Sequence, residues 1–224
     1  MHTPLLGILM FLGSLGLTAL AAVIVVYTRL KHAPLPVKPM VAIGGAWAAL
    51  YVVALTASSL TSRERVLRMN EDKAFCGFYL DCHLQVAVKN VDTARALGNG
   101  VAPLRAGGMF HVVTLRVSST AVRARMHLLD PQVVVRDAQG REHHRVPAAE
   151  AALAARGAPA ESLTRDLGPE EEFLTTVVFD LPADAREPRL AVTEGIWADK
   201  LIELILIGDE DSFLHKRTAF ELAT

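Results

Sequence analysis

No aspartate or glutamate occurs in the first 62 of the 224 residues, and only three basic residues do: Arg29, Lys31 and Lys38. The remaining 20 basic and all 24 acidic residues follow, so a formal net charge of −1 conceals a +3 segment joined to a −4 segment. Cysteine is scarce, with two residues in the whole chain, which excludes a disulfide-dense miniprotein. Charged residues make up only 21% against 51% hydrophobic, with mean hydropathy +0.30, which excludes a disordered chain. Basic residues in 189–217 do not cluster and the segment after residue 62 nets −4, so nucleic acid is not an expected partner. Neither internal repeats nor low-complexity tracts are found.

Two long uncharged stretches are present, Leu5–Thr28 and Met40–Ser62. At 1.5 Å per helical residue each spans a hydrocarbon core of about 30 Å. Pro34, Pro36 and Pro39 interrupt the connection, which predicts an antiparallel hairpin of two transmembrane helices, about 5–28 and 40–61. A cleaved signal peptide would call for a basic segment at its start, and Met-His-Thr-Pro has no Lys or Arg. The basic loop places the connection in the cytoplasm and the amino terminus outside, so that the remainder of the chain is extracytoplasmic. Trp47 and Tyr51 fall mid-span and are expected to face the partner helix. Gly45/Ala49 and Ser14/Thr18 have the spacing that lets helices approach closely. No Asp, Glu, Lys, Arg or His lies within either span, which argues against a proton or ion pathway.

After a polar stretch, 63–74, expected as a helix or stalk, the periodicity changes from 3.6 to 2. Strands are expected at His83–Val91, Met109–Val117, Val133–Arg136, Arg141–Val146, Phe173–Leu181, Arg189–Thr193 and Leu201–Ile207, with a last short run near Phe220. Asp137-Ala-Gln-Gly140 is a turn signal between two of them, and Ala148–Arg156 is the expected helix, ended by Gly157. The expected fold is therefore a two-helix transmembrane hairpin followed, over 75–224, by an all-β immunoglobulin-like antiparallel sandwich with one short helix.

FHVVTLRV (110–117), VVVRDAQGRE (133–142) and GPEEEFLTTVVFDLPADA (168–185) resemble the telokin-like, immunoglobulin-fold domains of bacterial lipoproteins and small membrane proteins. In that family Pro-Gly-Glu commonly precedes the strand ending in Phe-Asp-x-Pro, whereas Gly168-Pro169-Glu170 has the first two exchanged. Asn usually follows the second strand, where this chain has Ser118-Ser119-Thr120. The resemblance covers about 110 residues and implies an extracytoplasmic interaction or accessory module. Its motifs are structural and carry no catalytic residue.

Candidate chemistry concentrates in Phe75–His83, FCGFYLDCH, which holds both cysteines. Outside the cytoplasm a lone cysteine pair is expected to form a disulfide, Cys76–Cys82. The alternatives are a copper or zinc site using Cys76, Cys82 and His83, or thiol redox chemistry, for which Cys-x-x-Cys is the usual spacing. His143 and His144 are adjacent on a strand and point to opposite faces, so they do not chelate together. His111 and His127 are isolated. Gly98-x-Gly100 lacks the third glycine and following helix of a dinucleotide loop, and no Gly-x-Ser-x-Gly elbow occurs. Gly208-Asp-Glu-Asp211 lacks the ligand spacing of a calcium loop and, like Glu170–Glu172, is expected as a solvated turn. The sequence thus predicts a non-catalytic protein without cofactor in the inner (cell) membrane. Its partners are the lipid bilayer and an envelope protein or a second copy, engaged through strand edges and loops of the sandwich.

Overall fold

A computed structural model describes residues 5–77, 81–98 and 103–222, and two compact units are present. One comprises the chain up to Arg63 together with Ala198–Lys216; the other comprises Glu64–Trp197 together with Arg217–Thr224.

In the first unit two long helices, α1 (Leu5–Leu30) and α2 (Val37–Thr61), carry the two uncharged stretches. Each is long and apolar enough to cross a membrane, and almost none of their apolar surface is buried. Pro39 lies inside the first turn of α2, where its missing N–H costs no helical bond. The helices meet at Gly13: a Cβ there would lie 2.6 Å from the Trp47 ring. Trp47 Nε1–H donates to Ser14 Oγ at 2.9 Å, which satisfies the indole inside an apolar pair. Two expectations are corrected. A Cβ on Gly45 would meet nothing within 4 Å, so Gly45/Ala49 does not mediate close approach. Tyr51 does not turn to α1; its O–H donates to the Ile205 carbonyl at 2.8 Å.

The second unit is a β-sandwich. One sheet has the order β1-β9-β8-β5-β6 and the other β2-β3-β4-β7. The strands are β1 (Arg65–Leu67), β2 (Lys73–Gly77), β3 (Asp81–Leu97), β4 (Leu104–Ser119), β5 (Gln132–Arg136), β6 (Glu142–His144), β7 (Glu172–Leu181), β8 (Arg189–Thr193) and β9 (Thr218–Glu221). Alternation decides which side chains face inward: Val86 and Val88 of β3, Val113, Leu115 and Val117 of β4, and Val133 and Val135 of β5 are all buried. They meet Phe173, Val177 and Phe179 of β7, Leu190 and Val192 of β8, and Phe220 of β9 in one core. The outer face of the second sheet is covered by α3 (Pro147–Ala154), whose Ala149 packs with Phe110 and Val178. Gly157 ends this region with a φ of +89°.

Beyond the hairpin the chain departs from the sequence expectation again: the sheets are not wholly antiparallel, and a second short helix is present. Residues 65–67 are not a stalk: β1 pairs parallel with β9, and Leu67 is buried in the core. Leu201–Ile207 is not a strand: α4 (Trp197–Glu203) runs into hydrogen-bonded turns, and this stretch groups with the two long helices. A continuous apolar run fits a buried strand and a helix equally well, so periodicity alone does not separate them. Residues 99–102, and with them Gly100 of the Gly98-x-Gly100 pair, lie outside the described residues.

Candidate functional site

The second sheet has two edges of different character. At one, β7 is covered, because Arg145 bridges to Phe179 and Ala160 bridges to Thr175. At the other, β2 pairs with β3 on one side, and no strand pairs with its other side among the described residues. Ala74 and Cys76 are exposed along it, while Phe75 points into the core.

Two features hold this edge. Cys76 and Cys82 are joined by a disulfide that ties β2 to the start of β3. Lys73 is only 3% exposed. Its Nζ donates to the Val192 carbonyl of β8 at 2.6 Å and lies 5.0 Å from the Phe75 ring centroid, so one cation links the two sheets. A buried ammonium is tolerable only with such partners. Sequence reasoning passed over Lys73 because alternation assigns it no special status. Its neighbour Phe75 is the only local hint that the strand turns a side chain inward there.

With both sulfurs bonded to each other, the proposed copper or zinc set of Cys76, Cys82 and His83 retains only the histidine. His83 Nδ1 lies 3.2 Å from Thr120 Oγ1. Phe78, Tyr79 and Leu80 of the same motif lie outside the described residues. The other histidines stand apart: His127 pairs with Asp166 at 2.9 Å, His143 with Asp137 at 3.0 Å, and His144 is exposed. No group of three His, Cys, Asp or Glu side chains suited to a metal ion is present among the described residues.

The most densely bonded polar group is Asp137, in the β5–β6 turn. Its side chain is fully buried and accepts hydrogen bonds from Arg141 Nε at 2.7 Å, from the Arg141 and Gln139 backbone N–H groups, and from His143 Nε2. Burial pushes its pKa up, but the bonds from His143 and Arg141 outweigh that and hold it well below the usual carboxylate range. Arg141 also donates to Asp184 at 2.9 Å, so the Asp-Ala-Gln-Gly turn is tied to the connection after β7. This arrangement closes a loop around a buried carboxylate. Glu171 behaves similarly and is not simply solvated: it bonds Arg165 at 2.5 Å and the Gly168 N–H at 2.8 Å, shaping the Gly168–Glu171 turn.

A cleft of about 740 Å³ at one end of the sandwich is lined by Arg95, Met109, His111, Leu181 and Pro188 among others. Burial lowers the pKa of His111, and its Nδ1 has no hydrogen-bond partner among the described residues. Among the described residues no nucleophile or carboxylate lines this cleft beside the histidine. Nearby, Asp180 accepts from the Gly107 and Gly108 N–H groups at 2.6 and 3.0 Å. A Cβ on Gly108 would overlap the Leu181 carbonyl oxygen, so glycine is required for β4 to approach β7 there.

No protein-family model matches the chain, and no curated protein does. Several solved structures are similar to it. A conserved hypothetical protein of Bacillus anthracis is 18% identical, with 58% of this chain and 90% of that one covered at a TM-score of 0.42. A secreted protein of Mycobacterium tuberculosis is 11% identical over 72% of this chain and 99% of that one, TM-score 0.43. An uncharacterised β-sandwich protein of Clostridium difficile is 10% identical over 72% and 96%, TM-score 0.39.

Proposed function

We propose that this chain is a membrane-anchored, non-catalytic interaction module of the bacterial envelope: a two-helix hairpin in the inner membrane carrying an extracytoplasmic immunoglobulin-like sandwich. The observation that carries the reading is the uncovered β2 edge, held in place by the Cys76–Cys82 disulfide and the Lys73 bridge. An uncovered edge presents unpaired backbone donors and acceptors, and a partner strand extends the sheet by satisfying them. The disulfide supports an oxidising compartment for the sandwich, and two apolar helices with exposed flanks support lipid as their solvent. Strand addition needs a rigid template more than it needs chemistry, which accounts for the bonds invested in β2.

The test is photocrosslinking in intact membranes from a benzoylphenylalanine placed at Ala74 of the full-length chain, with Val122, an exposed position off this edge, as control. The expected result is a discrete adduct, to an envelope protein or a second copy, from position 74 and not from position 122. Equal or absent adducts at both positions refute β2 as the docking edge.

A further inference from the structure

The connection between β8 and β9 is not an ordinary surface loop. Its residues 198–216 group with α1 and α2, and contacts with α2 occur at three successive levels. The Lys216 N–H donates to Ser62 Oγ at 2.9 Å, at the end of the helix. One turn further in, a Cβ on Gly208 would lie 3.7 Å from Ser58 Oγ. Two turns beyond that, the Tyr51 O–H donates to the Ile205 carbonyl. From Ser62 to Tyr51 the helix axis advances about 16 Å, roughly half the thickness of a hydrocarbon core.

The tip of this connection closes on itself. The Phe213 N–H donates to the Leu204 carbonyl at 2.9 Å, and Leu204, Ile205 and Leu206 N–H groups bond back to the Lys200, Ile202 and Glu203 carbonyls. Part of the backbone polarity at the tip is thereby satisfied internally, as non-helical chain at membrane depth requires. Leu206 and Ile207 are buried against the unit, yet Leu201, Ile202, Leu204, Ile205, Phe213 and Leu214 point outward, 37% to 59% exposed. A loop facing water has no use for apolar residues on both its inner and outer sides. Glu203 is half-buried and is not among the outward residues, and the acidic run Asp209–Asp211 follows Gly208, at the Ser58 level about 6 Å from the helix end. Lys200 is exposed one turn before Leu204, and its long stem can carry the ammonium toward the headgroups.

We infer that residues 201–214 form a re-entrant element that enters the bilayer beside α2, with Ile205 near the midplane and the six outward apolar side chains against acyl chains. This rests on the reading of α1 and α2 as membrane-spanning. It adds a third point of membrane attachment, drawn from within the sandwich sequence and closed by β9.

The test uses the full-length chain in phosphatidylcholine–phosphatidylglycerol vesicles, with an environment-sensitive maleimide fluorophore attached to one of four variants with a single added cysteine: I205C, F213C, L50C on α2 and V122C on the sandwich. The native cysteines, joined as a disulfide, do not react with the maleimide. Lipids brominated at mid-chain then quench according to depth. The expected result is quenching of I205C and F213C within about twofold of L50C, with V122C unquenched; agreement of two tip positions guards against one misfolded variant. Quenching of L50C alone overturns the re-entrant element and leaves the hairpin standing. Absence of quenching at L50C as well refutes the hairpin reading and this inference with it. Tip fluorophores shielded from aqueous iodide yet unquenched by bromine lie against protein, a second copy or a partner, and that overturns the lipid assignment.

Discussion

Asp137 shows how much of this sandwich hangs on single polar side chains. Asn at this position keeps the shape of the side chain but replaces one acceptor oxygen with a donor facing Arg141 or His143. Expected for D137N is a fall in thermal midpoint on the order of 5 °C, read by circular dichroism. The pH dependence has a definite sign. Because the folded-state pKa of Asp137 is depressed, and that of Asp184 is lowered by the bond from Arg141, their contribution is fully present above the unfolded carboxylate pKa of about 4. It is lost as pH falls below that value toward the folded pKa. Wild type is therefore expected to lose stability progressively below about pH 4, and D137N to show a shallower acid limb. An unchanged acid limb in D137N would assign the acid loss to other carboxylates.

At the scale of elements, the β2–β3 pair depends on its covalent tie. Strand β2 has five residues and, among the described residues, gains ladder bonds from β3 alone. Closing a loop with a sequence separation of 6 removes unfolded-state entropy worth about 2–3 kcal/mol. Substituting both cysteines by alanine is expected to cost that amount in urea unfolding, with fast amide exchange confined to β2 and the adjoining part of β3. Loss spread evenly over all strands would mean that the disulfide acts on the whole sandwich and not on the edge. The hairpin of α1 and α2 shows a different logic, a close approach at Gly13 sealed by one indole hydrogen bond. Trp47 faces the partner helix as expected, but the close approach falls at Gly13 and not at Gly45/Ala49, since a small-residue spacing marks where helices can approach and not which face is used.

For the whole molecule, the decisive finding is that sequence order and spatial grouping part company at both ends of the sandwich. Residues 65–67, part of the 63–74 stretch expected as a stalk, supply an edge strand and a core leucine. Leu67→Ala is therefore expected to cost about 2–4 kcal/mol in chemical denaturation, as a core truncation does. A stalk residue would give a value within about 0.5 kcal/mol of zero. At the other end, 198–216 leave the sandwich and join the long helices before β9 returns to pair with both β1 and β8.

Charge distribution, the two uncharged stretches, the alternating strands of β3, β4 and β7, the Asp-Ala-Gln-Gly turn and the Cys76/Cys82 pair are all local signals, and each was readable from the sequence alone. Period-2 patterning survives because one face of each strand meets the core, and uncharged length survives because helix rise is constant. What only the tertiary structure decided is which segments meet. The parallel pairing of β1 with β9 joins residues far apart in the chain, Arg65 with Thr218, and a three-residue strand is too short to carry a period. The inward turn of Lys73 depends on a carbonyl offered by β8. The position of Leu201–Leu214 beside α2 depends on the Tyr51 hydroxyl and on Ser62, contacts that no spacing rule contains, because an apolar run states that water must be avoided without stating what will exclude it.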